Sequence, residues 1–157
     1  MEPRIGITKE NLGKSAHILN GFLADEIVLY IKTRNAHWNV EGPDFHEKHT
    51  FFESQYEALD EIMDEVAERI RSLGHYAPAT LASYLELTHL TEQSRAKNDG
   101  AGFVKELLGD HESIIIRLRE NINSLANDLG DAGTSDFVTG LMEKHEKMAW
   151  MLRAQLR

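Results

Sequence analysis

Between His49 and Glu68, six polar residues fall at four- and three-residue steps: His49, Glu53, Glu57, Asp60, Asp64 and Glu68. Side chains so spaced share one face of a helix. Such a face is ordinarily a solvated acidic stripe. A histidine at its head, and a second apolar line of Phe51, Ala58 and Ile62 on the same stretch, argue instead for a face with a partner. Imidazole with carboxylates is a ligand set for iron, zinc or manganese. Distance limits how it assembles: His49 and Asp64 are 15 residues apart, about 22 Å along one helix, so one chain cannot bring both to one ion. The positions do pair about a centre between 58 and 59, with 49 opposite 68 and 53 opposite 64. Two copies crossing antiparallel there would set His49 level with Glu68 of the partner subunit, and Glu53 level with Asp64 of the partner subunit. Phe51, Ala58 and Ile62 are the expected apolar contacts of that crossing. His37 and His49 stand equally far from Pro43, so a hairpin turning there puts both imidazoles at one height. The predicted site is His37, His49 and Glu53 from one chain with Asp64 and Glu68 from the other. Carboxylate-rich ligation favours the harder ferric ion, and a site split between subunits suits metal that exchanges, so iron is expected as substrate. His46 is a weaker supplementary ligand candidate. Other templates fail. His46-Glu47-Lys48-His49 is one residue short of HExxH, Glu-x-x-His occurs once, at Glu86 and His89, and no phosphate-binding or serine-nucleophile motif is present.

These side chains need elements to hold them, and apolar residues at helical spacing run through most of the chain. Leu12, Ala16, Leu19, Leu23, Ile27 and Tyr30, continued by Arg34 and His37, predict a first helix from an N-cap at Thr8 to about Asn39. Asp44, with Glu47 three residues on, has capping-box form and starts a second. Its inward stripe is Phe45, Phe52, Tyr56, Leu59, Met63, Val66, Ile70 and Leu73, and Gly74 stops it. Residues 75–99 form a long connection containing Pro78, a short helix over 81–87 and a polar run over 91–100. A third long helix is predicted over about 100–129, with Phe103, Leu107, Ile114, Leu118, Ile122 and Leu125 inward. A fourth follows over about 134–157, with Phe137, Leu141, His145, Met148, Leu152 and Leu156 inward. Gly109 and Gly140 each cost about 1 kcal/mol in a helix interior, for which close packing is one explanation. The pattern is all-α: a ferritin-like four-helix bundle with a short helix in the long connection between the second and third helices, although other crossover bundles share it. One domain over 1–157, with 1–8 as a short tail, is expected.

Composition agrees. The chain has 157 residues, 41% of them apolar, and three prolines. With no cysteine, disulfide frameworks, zinc ribbons, thiolate-bound clusters and cysteine nucleophiles are excluded. No run approaches the length of a membrane span, and the first residues lack a signal-type apolar run, so an intracellular, cytoplasmic protein is expected. The net charge is −9, and near the start only Arg4, Lys9 and Lys14 are basic, a poor match for nucleic acid.

The run Asn35-Ala36-His37-Trp38-Asn39-Val40-Glu41-Gly42-Pro43-Asp44-Phe45 resembles the Dps-type miniferritins, the DNA-protection proteins of starved cells. The likeness continues through His49, Phe52, Tyr56, Asp64 and the run Glu65-Val66-Ala67-Glu68-Arg69-Ile70, and the closing run from His145 to Leu152 is similar to the family's last helix. The resemblance implies a hollow homododecamer of four-helix subunits. It implies ferroxidase sites at two-fold interfaces that oxidise Fe²⁺, preferably with hydrogen peroxide, and mineralise Fe³⁺ inside. Its ligand positions fall on His37, His49, Glu53, Asp64 and Glu68, with Glu53 where aspartate is frequent. It gives Trp38 the role of an electron donor that quenches radicals when iron is scarce; a packed interface aromatic is the other reading. It places iron-entry pores near the start of the fourth helix, which makes Asp131 and Asp136 candidates, with turn and cap roles as the alternative. Nucleoid association and DNA compaction with little ferroxidase activity are the competing function. The basic arm many relatives use is absent from this sequence, and twelve copies at −9 each would repel DNA.

Overall fold

The computed structural model describes residues 3–92 and 97–156. Of the expected features, Met1 and Glu2 of the tail, 93–96 of the polar run and the terminal Arg157 lie outside the described residues. The elements in chain order are α1 (Lys9–Asn39), α2 (Phe45–Ser72), α3 (Leu81–Leu87), α4 (Gly100–Asn123), a π-helical turn (Ser124–Asp128) and α5 (Ala132–Ala154).

Local chemistry sets the ends. Thr8 accepts from the Asn11 N–H and starts α1, and Asp99 accepts from the Gly102 N–H and starts α4. Asp44 precedes α2 as expected, but its side chain makes no capping hydrogen bond, so the expected capping box does not form. Gly74 ends α2 at φ +84°, and a Cβ there would meet the Pro3 ring at 2.6 Å. Both conditions require glycine.

α1 packs on α2 and α4 on α5. The apolar stripes meet in one core that includes Leu19, Phe22, Leu29, Phe52, Leu59, Ile70, Ile114, Leu118, Val138 and Leu152. Burying each large side chain contributes about 1.5–3 kcal/mol. Tyr56, Phe45 and Leu156, expected in the core, fall outside it: Tyr56 donates to the Glu53 carboxylate, Phe45 is 45% exposed and Leu156 40%. Phe45 is the first residue of α2, and Leu156 lies past the end of α5.

The third long helix does not run unbroken to 129. It widens at Ser124–Asp128, where the Leu129 N–H reaches the Ser124 carbonyl and the Asp131 N–H the Leu125 carbonyl. The Ile122 carbonyl is taken by the Ser135 hydroxyl at 2.9 Å. The wide turn thus re-satisfies its backbone while turning the chain into α5. Gly109 and Gly140 face open space, so close packing within the chain does not explain them.

The long connection is pinned by a buried carboxylate. Asp25 accepts from the Thr88 hydroxyl at 2.8 Å and the His89 N–H at 2.6 Å, and it pairs with Arg117 of α4. The hairpin end is tied to the start of α4 by the Glu41 N–H on the Asn98 carbonyl, 2.9 Å.

Candidate metal centre

The α1–α2 hairpin brings His37 and His49 face to face. Their rings stack at 3.8 Å between centroids, tilted by 21°. His37 Nδ1 lies 2.8 Å from the His49 carbonyl oxygen, and His49 Nδ1 lies 2.8 Å from the His37 carbonyl oxygen. A carbonyl only accepts, so each Nδ1 carries a proton and donates it. In each neutral ring the free lone pair is then on Nε2. This is how metal-binding imidazoles are commonly held: one nitrogen anchored, the other open.

Aromatic side chains wall the pair. Tyr56 meets the His37 ring edge-on at 5.2 Å, and Phe45 lies 5.2 Å from the His49 ring. The Arg34 guanidinium sits 4.3 Å from the Tyr56 ring and 4.9 Å from the Trp38 ring, within cation–π range of both. Trp38 is 61% exposed on this side of the hairpin. Tyr56 donates to Glu53 Oε1 at 3.2 Å. Burial first, and then the Glu53 carboxylate, push the Tyr56 hydroxyl above its ordinary pKa. Among the described residues of one chain, no three His, Asp or Glu side chains are arranged to hold a metal ion. The structure therefore brings His37 and His49 together but leaves Glu53 turned to Tyr56.

Asp64 and Glu68 lie exposed on the outer face of α2. Asp64 and Asp60 edge a groove of about 500 Å³ shared with Ile27 of α1 and Tyr84 of α3. Ile27 and Tyr84 also line the neighbouring hollow with Ile31, Leu81 and Leu85. Ile31, Leu81 and Leu85 are 49%, 74% and 51% exposed. The acidic face thus borders uncovered apolar side chains from α1 and α3.

That finding corrects the expected apolar contacts. Ile62 is buried in the core at 1% exposure. Ala58 and Ile62 edge a groove with Met148 and Met151 of α5. Phe51 lies partly buried against the core and near the ring of Phe52. At about 100° per residue this line runs on the opposite side of α2 from Asp60 and Asp64. It serves the α2–α5 packing.

Comparison with known proteins is decisive for the family. The ferritin-like domain family matches residues 16–157. The low temperature-induced protein all0458 of Nostoc sp. is 41% identical over 150 residues, which are 96% of this chain and 84% of that protein. The DNA protection during starvation protein of Helicobacter pylori is 35% identical, covering 91% of this chain and 99% of the relative. The crystal structure of a Dps protein from Vibrio cholerae, described as a ferritin-like diiron-carboxylate protein, superposes with a TM-score of 0.92 at 33% identity, covering 99% of this chain and 97% of that one. The chain belongs to the Dps-type miniferritins of the ferritin-like family.

Within this miniferritin the two pore candidates differ. Asp131 is 1% exposed and caps α5, accepting from the Thr134 N–H at 2.9 Å. Arg69 of α2 reaches both residues, with Nη2 3.3 Å from Asp131 Oδ1 and 2.9 Å from Thr134 Oγ1. Burial works against the Asp131 charge. The hydrogen bonds from Thr134 and the Arg69 guanidinium outweigh it and hold the carboxyl below its ordinary range. Asp131 therefore has the cap role, while Asp136 is exposed one turn on.

Tyr56 and Arg34 read as core-stripe residues in the sequence but belong to the wall of the site. Asp25, Glu26 and His111 carry no motif and are buried. The signal for Asp25 and Glu26 is a charged pair inside the apolar run from Leu23 to Leu29, a placement that demands buried partners.

Proposed function

We propose that this miniferritin is a ferroxidase and iron-storage protein that binds Fe²⁺ as substrate between subunits and oxidises it, with hydrogen peroxide as the preferred oxidant. The observation that carries this reading is the reciprocal Nδ1-to-carbonyl lock, which leaves the Nε2 lone pairs of His37 and His49 open for metal. Glu53 supplies a carboxylate once it turns from Tyr56. The partner subunit's Asp64 and the partner subunit's Glu68 complete the set in an antiparallel α2 pairing. The uncovered Ile31, Leu81 and Leu85 beside that acidic face support a partner on this side.

Peroxide takes one electron from each of two ferrous ions, so its O–O bond is reduced to water-level oxygen and no hydroxyl radical is set free. The two ions are bound together, or one tightly and one transiently. Carboxylates hold the ferric product better than the ferrous substrate, which favours the forward step. Trp38 supplies an electron when only one ferrous ion is present. Fe³⁺ then mineralises on acidic side chains inside a homododecamer, and Asp136 is the pore candidate for iron entry.

The names of the relatives support a DNA-protecting role. At −9 per chain that protection is chemical, through removal of Fe²⁺ and peroxide, with no compaction of DNA in the cytoplasm. The test compares Fe²⁺ oxidation, with peroxide and with oxygen, in the wild type and in a His37→Ala/His49→Ala double variant. The wild type oxidises Fe²⁺ faster with peroxide, and the variant loses most of the rate; equal rates would mean that the site is misassigned. Metal-free protein gives no gel shift of plasmid DNA at moderate salt, and a clear salt-sensitive shift would favour the compacting function.

A further inference from the structure

Apart from the candidate metal centre, three buried titratable side chains form a chain across the bundle. They are Glu26 on α1, His145 on α5 and His111 on α4. His145 Nε2 lies 2.8 Å from Glu26 Oε1, and His145 Nδ1 lies 2.9 Å from His111 Nδ1. Glu26 and His145 are 0% exposed and His111 1%. Among the described residues, Glu26 Oε2 has no hydrogen-bond partner. Glu26 precedes His37 by 11 positions on the same helix, about 16 Å.

Each of the two contacts is a hydrogen bond only if it holds one proton. Two protonation levels satisfy that. In the first, His111 donates to His145, His145 donates to an ionised Glu26, and the cluster carries one negative charge. In the second, one more proton makes the cluster neutral, with an imidazolium paired to the carboxylate and both bonds kept. A further proton has no favourable place: on Glu26 Oε2 it would leave a buried imidazolium without its carboxylate. On a ring it would aim two N–H groups at each other across 2.9 Å, between two positive rings removed from water.

Among the described residues, no buried side chain outside the cluster is a free counterion for that extra charge. The buried polar side chain of α2 is Gln55, that of α4 is His111, α5 adds Thr134 and Ser135, and α3 has no buried residue. On α1, Asp25 is held by Arg117, Thr88 and the His89 N–H, and Ser15 and Thr33 are neutral. Lys32 is held between Glu106 and Asp110 of α4, and Asp131 is held by Arg69.

We propose that the Glu26–His145–His111 chain is an acid-sensitive latch, which ties α1 to the α4–α5 pair at neutral pH and releases it when His111 is driven to take a proton the cluster cannot share. Burial, and then the charge on His145, hold His111 well below its usual value of 6.5. The unfolded chain takes up this proton as pH falls through about 6.5 while the folded chain does not. The latch therefore stabilises the fold above that pH and progressively less below it.

The test follows thermal unfolding of the assembled protein, at one protomer concentration, between about pH 7.5 and about pH 4.5. The comparison is His111→Asn, which keeps an acceptor near the Nδ1 position but does not titrate. The wild-type unfolding constant rises with acid more steeply than that of the variant, by up to about tenfold per pH unit. Equal slopes would overturn the proposal. If the variant does not fold, ring resonances of the eight histidines in the wild type decide. The His111 ring stays uncharged until the fold is lost; an ordinary titration of His111 in the folded protein would overturn the latch. Neither measurement involves a metal, so the outcome is independent of the ferroxidase reading.

Discussion

A carbonyl cannot donate a hydrogen bond, and this one fact fixes the tautomers of His37 and His49. Their equal spacing about Pro43 predicts that the rings meet; the reciprocal lock and the stacking depend on backbone positions that spacing does not contain. The His37→Ala/His49→Ala variant removes both proposed nitrogen ligands, and its peroxide-driven rate should fall by more than about 100-fold, since losing even an outer-shell partner costs about 10–100-fold. Stopped-flow absorbance of ferric product measures this. Asp131 shows where residue type misleads, because an acidic residue at a helix start serves a pore and a cap equally well in sequence. Its burial and its bonds to Thr134 and Arg69 identify the cap. Asp131→Ala should destabilise by about 1–2 kcal/mol at neutral pH. Because its folded pKa is lowered, that contribution is present above the ordinary carboxyl pKa and is lost as pH falls through it toward the folded value. Denaturant midpoints at neutral and acid pH, at fixed protomer concentration, check both signs.

At the scale of elements, the periodicity located α1, α2 and the short α3 to within a residue or two, because apolar steps, Thr8 and Gly74 all act locally. The end of α4 was not legible. Leu125 and Leu129 keep helical spacing through the π turn, and the Ser135 hydroxyl that takes the Ile122 carbonyl beside it makes a bond between two helices that spacing does not contain. The direction of the Phe51–Ala58–Ile62 line was also hidden, since two apolar faces on one helix do not say which partner each meets. Gly109 and Gly140 have no neighbour within 4 Å of an added Cβ, and neither has positive φ. Alanine at either should therefore raise stability by about 1 kcal/mol per site. A loss instead, seen in thermal midpoints, would mean that another subunit packs closely on that glycine.

For the whole molecule, the acidic face of α2 and the apolar side chains of α1 and α3 lie side by side, uncovered in the single chain. A charge placed among them should oppose pairing. Leu85→Glu is expected to shift the particle to smaller species in sedimentation or native mass measurements, with the helical content kept. An unchanged particle would put the interface elsewhere. The proposed site is composite for the same geometric reason that Asp64 and His49 cannot meet within one helix.

The central claim is tested most directly by subunit complementation. One variant carries His37→Ala/His49→Ala and the other Asp64→Ala/Glu68→Ala, and each alone should be inactive. Dissociated, mixed in equal amounts and reassembled, the two variants form mixed dimers in which one of the two sites has every ligand intact. Peroxide-driven Fe²⁺ oxidation should then return to about a quarter of the wild-type rate for random pairing. No recovery in particles shown to contain both variants would contradict a site shared between subunits.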